Sequence, residues 1–159
     1  MKTRFFNKTF LPALLLSGVC LTAFLPQEIV DPDPPKGLIT AYLGNSTYSG
    51  GKIPKRVFDS LLVQGITARD SVDTSFQVHS FVFSYGERKL YEDSIGNLIV
   101  MTDYLTEYCT GSMLNPAIQA IMPTRSKKGD TVYFDNIKVL SKNGQKQYGA
   151  KSMRFVLTP

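Results

Sequence analysis

The chain has 159 residues, 18 of them basic and 13 acidic, giving a formal charge of +5, with two cysteines and one histidine. Lys2, Arg4 and Lys8 supply part of that excess, and setting them aside leaves 15 basic against 13 acidic groups, or +2. A body so near neutrality lacks the concentrated basic stripe that nucleic acid demands, so no nucleic-acid partner is expected. A lone histidine, His79, leaves a histidine metal site or a catalytic triad at most one candidate.

In chain order, Lys2, Arg4 and Lys8 form a basic stretch ahead of an uncharged, mostly apolar run over residues 10–25, so residues 1–25 read as a signal segment. Residues 9–27 carry no charge, a length at the lower limit for a membrane-spanning helix, which keeps an uncleaved anchor open. Pro12 and the small residues Ser17, Gly18 and Ala23 favour a cleaved signal. Leu16-Ser17-Gly18-Val19-Cys20 offers a third course, lipidation at Cys20 as in bacterial lipoproteins, although Val19 stands where a small residue is wanted. The expected location is outside the cytoplasm, in the periplasm or cell envelope, with membrane contact only through this segment if it is uncleaved or lipidated. Should Cys20 leave with the signal, Cys109 has no internal disulfide partner and is expected as a buried small hydrophobe rather than a reactive or intermolecular thiol.

Residues 26–37, PQEIVDPDPPKG, hold four of the nine prolines together with Glu28, Asp31 and Asp33. This composition stays extended and makes a tether. Residues 38–159 then read as one domain, since about 120 residues suffice for a single core and not for two. Residues 38–43 predict a first strand, broken at Gly44-Asn45-Ser46, and Ser49-Gly50-Gly51 is a second break. Ile53, Val57 and Leu61 with Phe58 and Leu62 recur at helical spacing, and Pro54 suits a first turn, predicting a short helix that ends before Gly65.

Residues 74–85, TSFQVHSFVFSY, are the strongest strand pattern, with a turn expected at Gly86-Glu87-Arg88. Residues 89–92 and 98–102 predict two shorter strands around the turn signal Asp93-Ser94-Ile95-Gly96-Asn97. Asn115 as N-cap, Pro116 at the first helical position and Pro123 as a stop bound a second short helix. Val132 and Phe134 alternate one residue out of phase with Ile137 and Val139, so a bulge is expected at Asp135-Asn136. Lys142-Asn143-Gly144-Gln145 is the expected turn, with Asn143 and Gly144 supplying positive φ. Met153, Phe155 and Leu157 alternate with Ser152, Arg154 and Val156, so the chain should end inside the sheet. Six or seven short strands and two small helices without βαβ alternation predict a mainly β fold, an antiparallel, immunoglobulin-like β-sandwich.

Several of these stretches resemble a known family. Gly50-Gly51-Lys52-Ile53, the strand from Ser75 through Phe81, Ser94-Ile95-Gly96-Asn97, Lys128-Gly129-Asp130, Phe134-Asp135-Asn136-Ile137 and the closing hairpin with Lys142-Asn143-Gly144 follow the order of the C-terminal domain of the gliding-motility-associated protein GldM. The resemblance covers about residues 42–158. It implies a periplasmic β-sandwich that makes protein contacts in the type IX secretion and gliding-motility machinery and has no enzymatic activity. Full members carry a membrane helix, a helical region and further β domains ahead of this one, and residues 1–37 do not match those parts of the family pattern. The expectation that transfers is one domain's fold and its role as a binding surface, not motor function.

No residue is expected in a catalytic, cofactor-binding or metal role. His79 stands in strand phase with Phe81, Phe83 and Tyr85, and no G-x-S-x-G elbow accompanies it. Glu92 and Asp93 are adjacent and face opposite ways. Ser49-Gly50-Gly51-Lys52 lacks phosphate-loop spacing, and Arg125-Ser126-Lys127-Lys128 reads as a solvated loop. Asp59-Ser60-Leu61, Asp70-Ser71-Val72 and Asp93-Ser94-Ile95 resemble the O-glycan acceptor tripeptide of exported proteins in bacteria with this secretion system. Asp59 falls inside a helix, leaving Ser71 and Ser94 as candidates, with turn and cap chemistry as the alternative. The reading is a non-enzymatic exported module that binds a protein partner in the cell envelope through loops or an exposed sheet edge. The alternative is a glycan-binding surface lipoprotein, which calls for exposed aromatics in a shallow groove. A small hydrolase, the third course, requires a pocket with convergent polar groups.

Overall fold

The structure, a computed structural model, describes residues 34–159. The signal segment, Cys20 and the start of the proline-rich tether lie outside the described residues. The fold is mainly β, with two short helices: β1 Thr40–Leu43, β2 Gly51–Pro54, α1 Lys55–Leu62, β3 Ile66–Arg69, β4 Ser75–Glu92, β5 Leu98–Thr110, α2 Pro116–Arg125, β6 Thr131–Leu140, β7 Gln147–Gly149 and β8 Met153–Thr158.

The strands follow the path β1-β3-β4-β6-β8-β2, with β5 added to β4 and β7 to β6. The 18-residue β4 is the spine. Its first two residues pair with β3, Ser80 onward pairs with β5, and its opposite edge pairs with β6 from Gln77 to Gly86. Pairing between the named strands is antiparallel except where β2 runs parallel to β8, and the isolated Thr40–Lys151 bridge is parallel too, a correction to the antiparallel expectation. The sheet curls far enough to bring β1 to Lys151, between β7 and β8, whose N–H donates to the Ile39 carbonyl at 2.9 Å.

Period-two patterning fills the inside of the curl. Phe81, Phe83, Val132, Phe134, Val139, Met153, Phe155 and Leu157 are all buried, so the last strand does end inside the sheet. The Phe134 ring sits 5.7 Å from Phe81, 5.4 Å from Phe83 and 6.2 Å from Phe155, near-perpendicular to the last. Helix α1 has no side-chain cap and is held by packing: Phe58 and Leu62, four apart, are buried, and the Phe58 ring lies 6.2 Å from Phe155. Gly65, at φ 77°, turns the chain from α1 into β3. A Cβ there would stand 2.4 Å from the Ser112 carbonyl oxygen, so the position requires glycine.

The expected bulge in β6 is present: Ser80 pairs with Lys138 and Val82 with Asp135, and Asn136 takes φ 50°. A second bulge was not anticipated. Val78 pairs with Val139 and Ser80 with Lys138, so His79 is the extra residue on β4. It shifts the alternation by one, burying both Val78 and Phe81 and leaving His79 exposed, out of phase with Phe81, Phe83 and Tyr85.

Other departures have local causes. Gly86-Glu87-Arg88 does not turn; Gly86 pairs with Tyr104 on one side and Thr131 on the other, and Arg88 N–H donates to Asp130 at 3.0 Å, so β4 runs on. Pro123 does not stop α2, which continues to Arg125; near the helix end its missing N–H forfeits one bond, and Ser126 N–H still reaches Met122 at 2.9 Å. Of Asn143 and Gly144 only Gly144 has positive φ, while Asn143 Oδ1 accepts the Gln145 N–H at 3.1 Å. Ile53 lies in β2 rather than the helix, and Pro54 is the residue before α1, with φ −59° and ψ 133°.

Candidate functional site

Beyond the Gly86–Thr131 pair, β4 parts from β6 and continues paired only with β5, out to Glu92 and Leu98. Residues 87–103 therefore form a two-stranded arm that leaves the body. Its tip is fixed by Asp93, whose Oδ1 accepts the N–H groups of Ile95 at 3.0 Å and Asn97 at 2.8 Å. Those donors, the backbone of Asn97 foremost, hold the Asp93 carboxyl below the usual carboxylate range.

The arm is apolar where a solvated ribbon would be polar. Leu90, Leu98 and Ile95 keep 68%, 70% and 81% of their surface exposed, and Ile99, Val100 and Met101 are also exposed. Opposed residues share a face, so Leu90, Leu98 and Val100 lie on one side of the ribbon, and Tyr91, Ile99 and Met101 on the other. The 13-residue β5 pairs with β4 alone among the described strands, so its outer edge presents free backbone donors and acceptors.

A polar network roots the arm. Asp130, 1% exposed, accepts from Tyr85 Oη at 2.5 Å, Lys127 N–H at 2.7 Å and Arg88 N–H at 3.0 Å. Burial, and then the Asp130 carboxylate, push the Tyr85 phenol well above its usual range. Glu87, also buried, accepts from Arg125 Nε at 3.0 Å and pairs with Lys89 and Lys127 at 3.4 and 3.5 Å. Burial pushes its carboxyl up, but Arg125 and Lys89 outweigh that and hold it low. Lys89 Nζ also meets Asp103 at 2.9 Å, and Tyr91 Oη donates to Asp103 at 2.7 Å. Tyr91 and then Lys89 depress the Asp103 carboxyl, while Asp103 raises both partners. Since Tyr85 has no exposed surface, no substrate reaches its hydroxyl; the network positions β4, β5 and residues 125–130 against one another.

Two further features lie along β5. On the outer face Tyr104 spans Gly86 toward Tyr133, ring centroids 6.5 Å apart, and the Arg154 guanidinium lies 5.5 Å over the Tyr133 ring. Tyr108, on the same face, is exposed. On the inner side, Glu107 and Cys109 with Met113, Leu114 and Asn115 line a cavity of about 390 Å³. A second cleft, about 520 Å³, opens where β3 and β5 diverge along β4, lined by Arg69, Asp73, Phe76 and Gln77. Arg69 is spoken for there, paired to Asp73 at 3.1 Å and stacked over Tyr42.

The residues singled out from sequence do not converge. Cys20 lies outside the described residues. Ser71 and Ser94 are exposed at opposite ends of β4, Ser71 with its hydroxyl donating to the Lys36 carbonyl and Ser94 at the arm tip. Asp70 is drawn into turn chemistry: burial pushes its carboxyl up, but the N–H groups of Lys36, Thr74 and Val72 outweigh that and lower it. His79 is exposed at its bulge, its carbonyl accepting the Gly111 N–H at 2.7 Å. Cys109 is buried, and burial pushes its thiol up, as an unreactive cysteine requires. In the basic run, Arg125 and Lys127 are ion-paired to Glu87 rather than free in a solvated loop.

Among the described residues no three His, Cys, Asp or Glu side chains gather as a metal site, and no helix is long and apolar enough to cross a membrane. The arm went unrecognised in sequence because residues 86–88 resemble a turn; the exposed run Leu98-Ile99-Val100-Met101, with no polar alternation, was the signal available for it. Neither a protein-family model nor a curated protein matches this chain.

Proposed function

We propose that this chain is a non-enzymatic, exported binding module of the cell envelope that engages a protein partner through the β4–β5 arm and the free edge of β5. The observation that carries the reading is the arm itself, a rooted ribbon with apolar side chains on both faces and a 13-residue edge unpaired among the described strands. Exposed apolar area on a preformed ribbon favours association by burial and by strand addition. The resemblance to the GldM C-terminal domain gives this module its context: an immunoglobulin-like β-sandwich in the periplasm or cell envelope, accessory to type IX secretion or gliding motility.

The test is affinity capture from the envelope of the producing cell with the full chain and with a variant carrying Leu90→Lys, Ile99→Thr, Val100→Glu and Met101→Thr, the two charges opposite in sign because Leu90 and Val100 are cross-strand partners. All four positions are exposed, so each change should move stability by only about 0.5 kcal/mol. The partner should be lost by the variant and retained by the parent. Equal capture by a folded variant would refute the arm as the docking surface.

The outer tyrosines favour a second reading, glycan binding. Tyr104 and Tyr133, their rings tilted 45° to each other, lie with Arg154 beside the paired hydroxyls of Ser84 and Thr106, 3.0 Å apart, and aromatic rings flanked by hydroxyls suit the faces of pyranose sugars. Tyr104→Ala with Tyr108→Ala should then abolish retention on an envelope-polysaccharide column, whereas the arm variant should leave it intact.

A further inference from the structure

Glu107 is the one charged group on β5 without a basic partner. Its neighbour in charge, Asp103, is held by Lys89 and Tyr91, but no ion pair reaches Glu107 among the described residues, and its Oε2 is buried with no hydrogen-bond donor. The side chain sits opposite Phe83, on the inner side of β5, and lines the 390 Å³ cavity with Cys109 and the Met113–Leu114–Asn115 stretch. Nothing inside that cavity neutralises it. Asn115 Oδ1 accepts the Ala117 N–H at 2.9 Å and its amide makes no hydrogen bond to Glu107 Oε2, while burial pushes the Cys109 thiol up and leaves it a weak donor. A carboxylate oxygen out of water and without a donor is costly, and a basic side chain entering the cavity relieves it.

The cavity lies against β5, whose outer edge is unpaired among the described strands. A strand adding there pairs with free backbone groups along Leu98–Thr110 and turns alternate side chains toward the inner side, on which Glu107 lies. Along this part of β5 the ribbon is backed by β4 and, beyond it, by β6, since Phe83 pairs with both Glu107 and Phe134. The acceptor is therefore held by the body of the sheet and not by the arm.

We infer that the edge of β5 accepts an extended strand of a partner protein, apolar in alternation, whose lysine or arginine enters the cavity and pairs with Glu107. The inference rests on the reading of this edge as a protein-binding surface and adds the charge that selects among strands.

The experiment uses the full chain and three blocked ten-residue peptides of alternating valine and threonine that differ only at a central lysine, glutamine or glutamate. Binding is read by calorimetry and by amide shifts. The lysine peptide should bind about tenfold or more tighter than the glutamine peptide, the effect of one charge-assisted hydrogen bond, and the glutamate peptide weakest. The shifts should fall on Leu98–Thr110. Glu107→Gln should erase the preference while leaving the chain at least as stable, because it removes an unpartnered carboxylate. Equal affinity for the three peptides, no binding by any, or shifts that avoid β5 would overturn the inference. The peptide series decides on the unmodified chain, whatever the variant does. If the peptides fail while the arm variant still loses its envelope partner, the arm reading stands and the charged pocket alone falls; if both fail, the edge is not a binding surface.

Discussion

Asp130 is the residue whose replacement most directly tests how the arm is held. Asp130→Asn preserves shape but replaces one accepting oxygen with an NH₂ group, against three donors at 2.5, 2.7 and 3.0 Å. With the remaining oxygen turned to Tyr85 and Lys127, the NH₂ faces the Arg88 N–H, leaving two buried donors unpaired. At about 1–3 kcal/mol for each such group, the expected loss is about 2–6 kcal/mol, a large share of the about 5–15 kcal/mol a domain possesses. Guanidinium denaturation at neutral pH measures it. Tyr85→Phe removes one donor and leaves Asp130 two others, so it should cost about 1 kcal/mol, and the double variant should show a coupling of about 0.5–3 kcal/mol. Hydrogen exchange at residues 88–92 should accelerate in Asp130→Asn before the core does. A loss below about 1 kcal/mol, or a cycle with no coupling, would show that these contacts do not hold the root of the arm, and the positioning argument would fail with them.

Phe134→Ala removes a ring packed against three others and should destabilise by about 3–5 kcal/mol with an unchanged denaturant slope; a loss under about 1 kcal/mol would mean that the curl has no tight core there. Stability should also depend on pH at both extremes. Glu87, Asp103, Asp93 and Asp70 have folded-state values below their ordinary ones, so their contribution is present above about pH 4 and is lost as pH falls further. Tyr85 is raised, so its contribution is present below about pH 10 and is lost above it. Denaturation midpoints should fall at both ends, with Glu87→Gln flattening the acid limb and Tyr85→Phe the alkaline one; midpoints that climb from pH 5 to 3 would contradict the acid-limb assignment.

What the sequence disclosed was whatever depends on neighbours in the chain. The alternation of Met153, Phe155 and Leu157, the Asn115–Pro116 helix start and the Asp93–Asn97 turn are local chemistry, and each was readable. The phase slip between Phe134 and Ile137 was readable too, because both flanks of the bulge are apolar. Its counterpart at His79 left the same kind of trace, Phe76 and Val78 alternating one residue out of phase with Phe81 and Phe83, and it was missed because the whole stretch is dense enough in apolar residues to read as one continuous strand. Gly86 misled for a different reason. Glycine in a turn and glycine under a cross-strand tyrosine look alike in one dimension, and only the pairing with Tyr104 and Thr131 separates them. Asp130 and Glu87 are likewise silent in sequence, because the partners that bury them, Tyr85 and Arg88 for the one and Arg125 for the other, lie 38 to 45 residues away.

The same contacts explain how an arm with apolar residues on both faces keeps its form. A two-stranded ribbon alone in water is marginal. Here Lys89 and Tyr91 on β4 both reach Asp103 on β5, tying the strands on one face, while Asp93 closes the tip with donors from Ile95 and Asn97. Glu87 passes that tie to Arg125 at the end of α2, and Asp130 fixes Arg88 to the strand beside it. The ribbon's shape is set by ion pairs and turn geometry rather than by a covering layer, so its apolar side chains stay available and already ordered. Ordering that precedes binding is entropy a partner need not remove, which is why charge substitutions at Leu90 and Val100 should weaken docking far more than they weaken the fold.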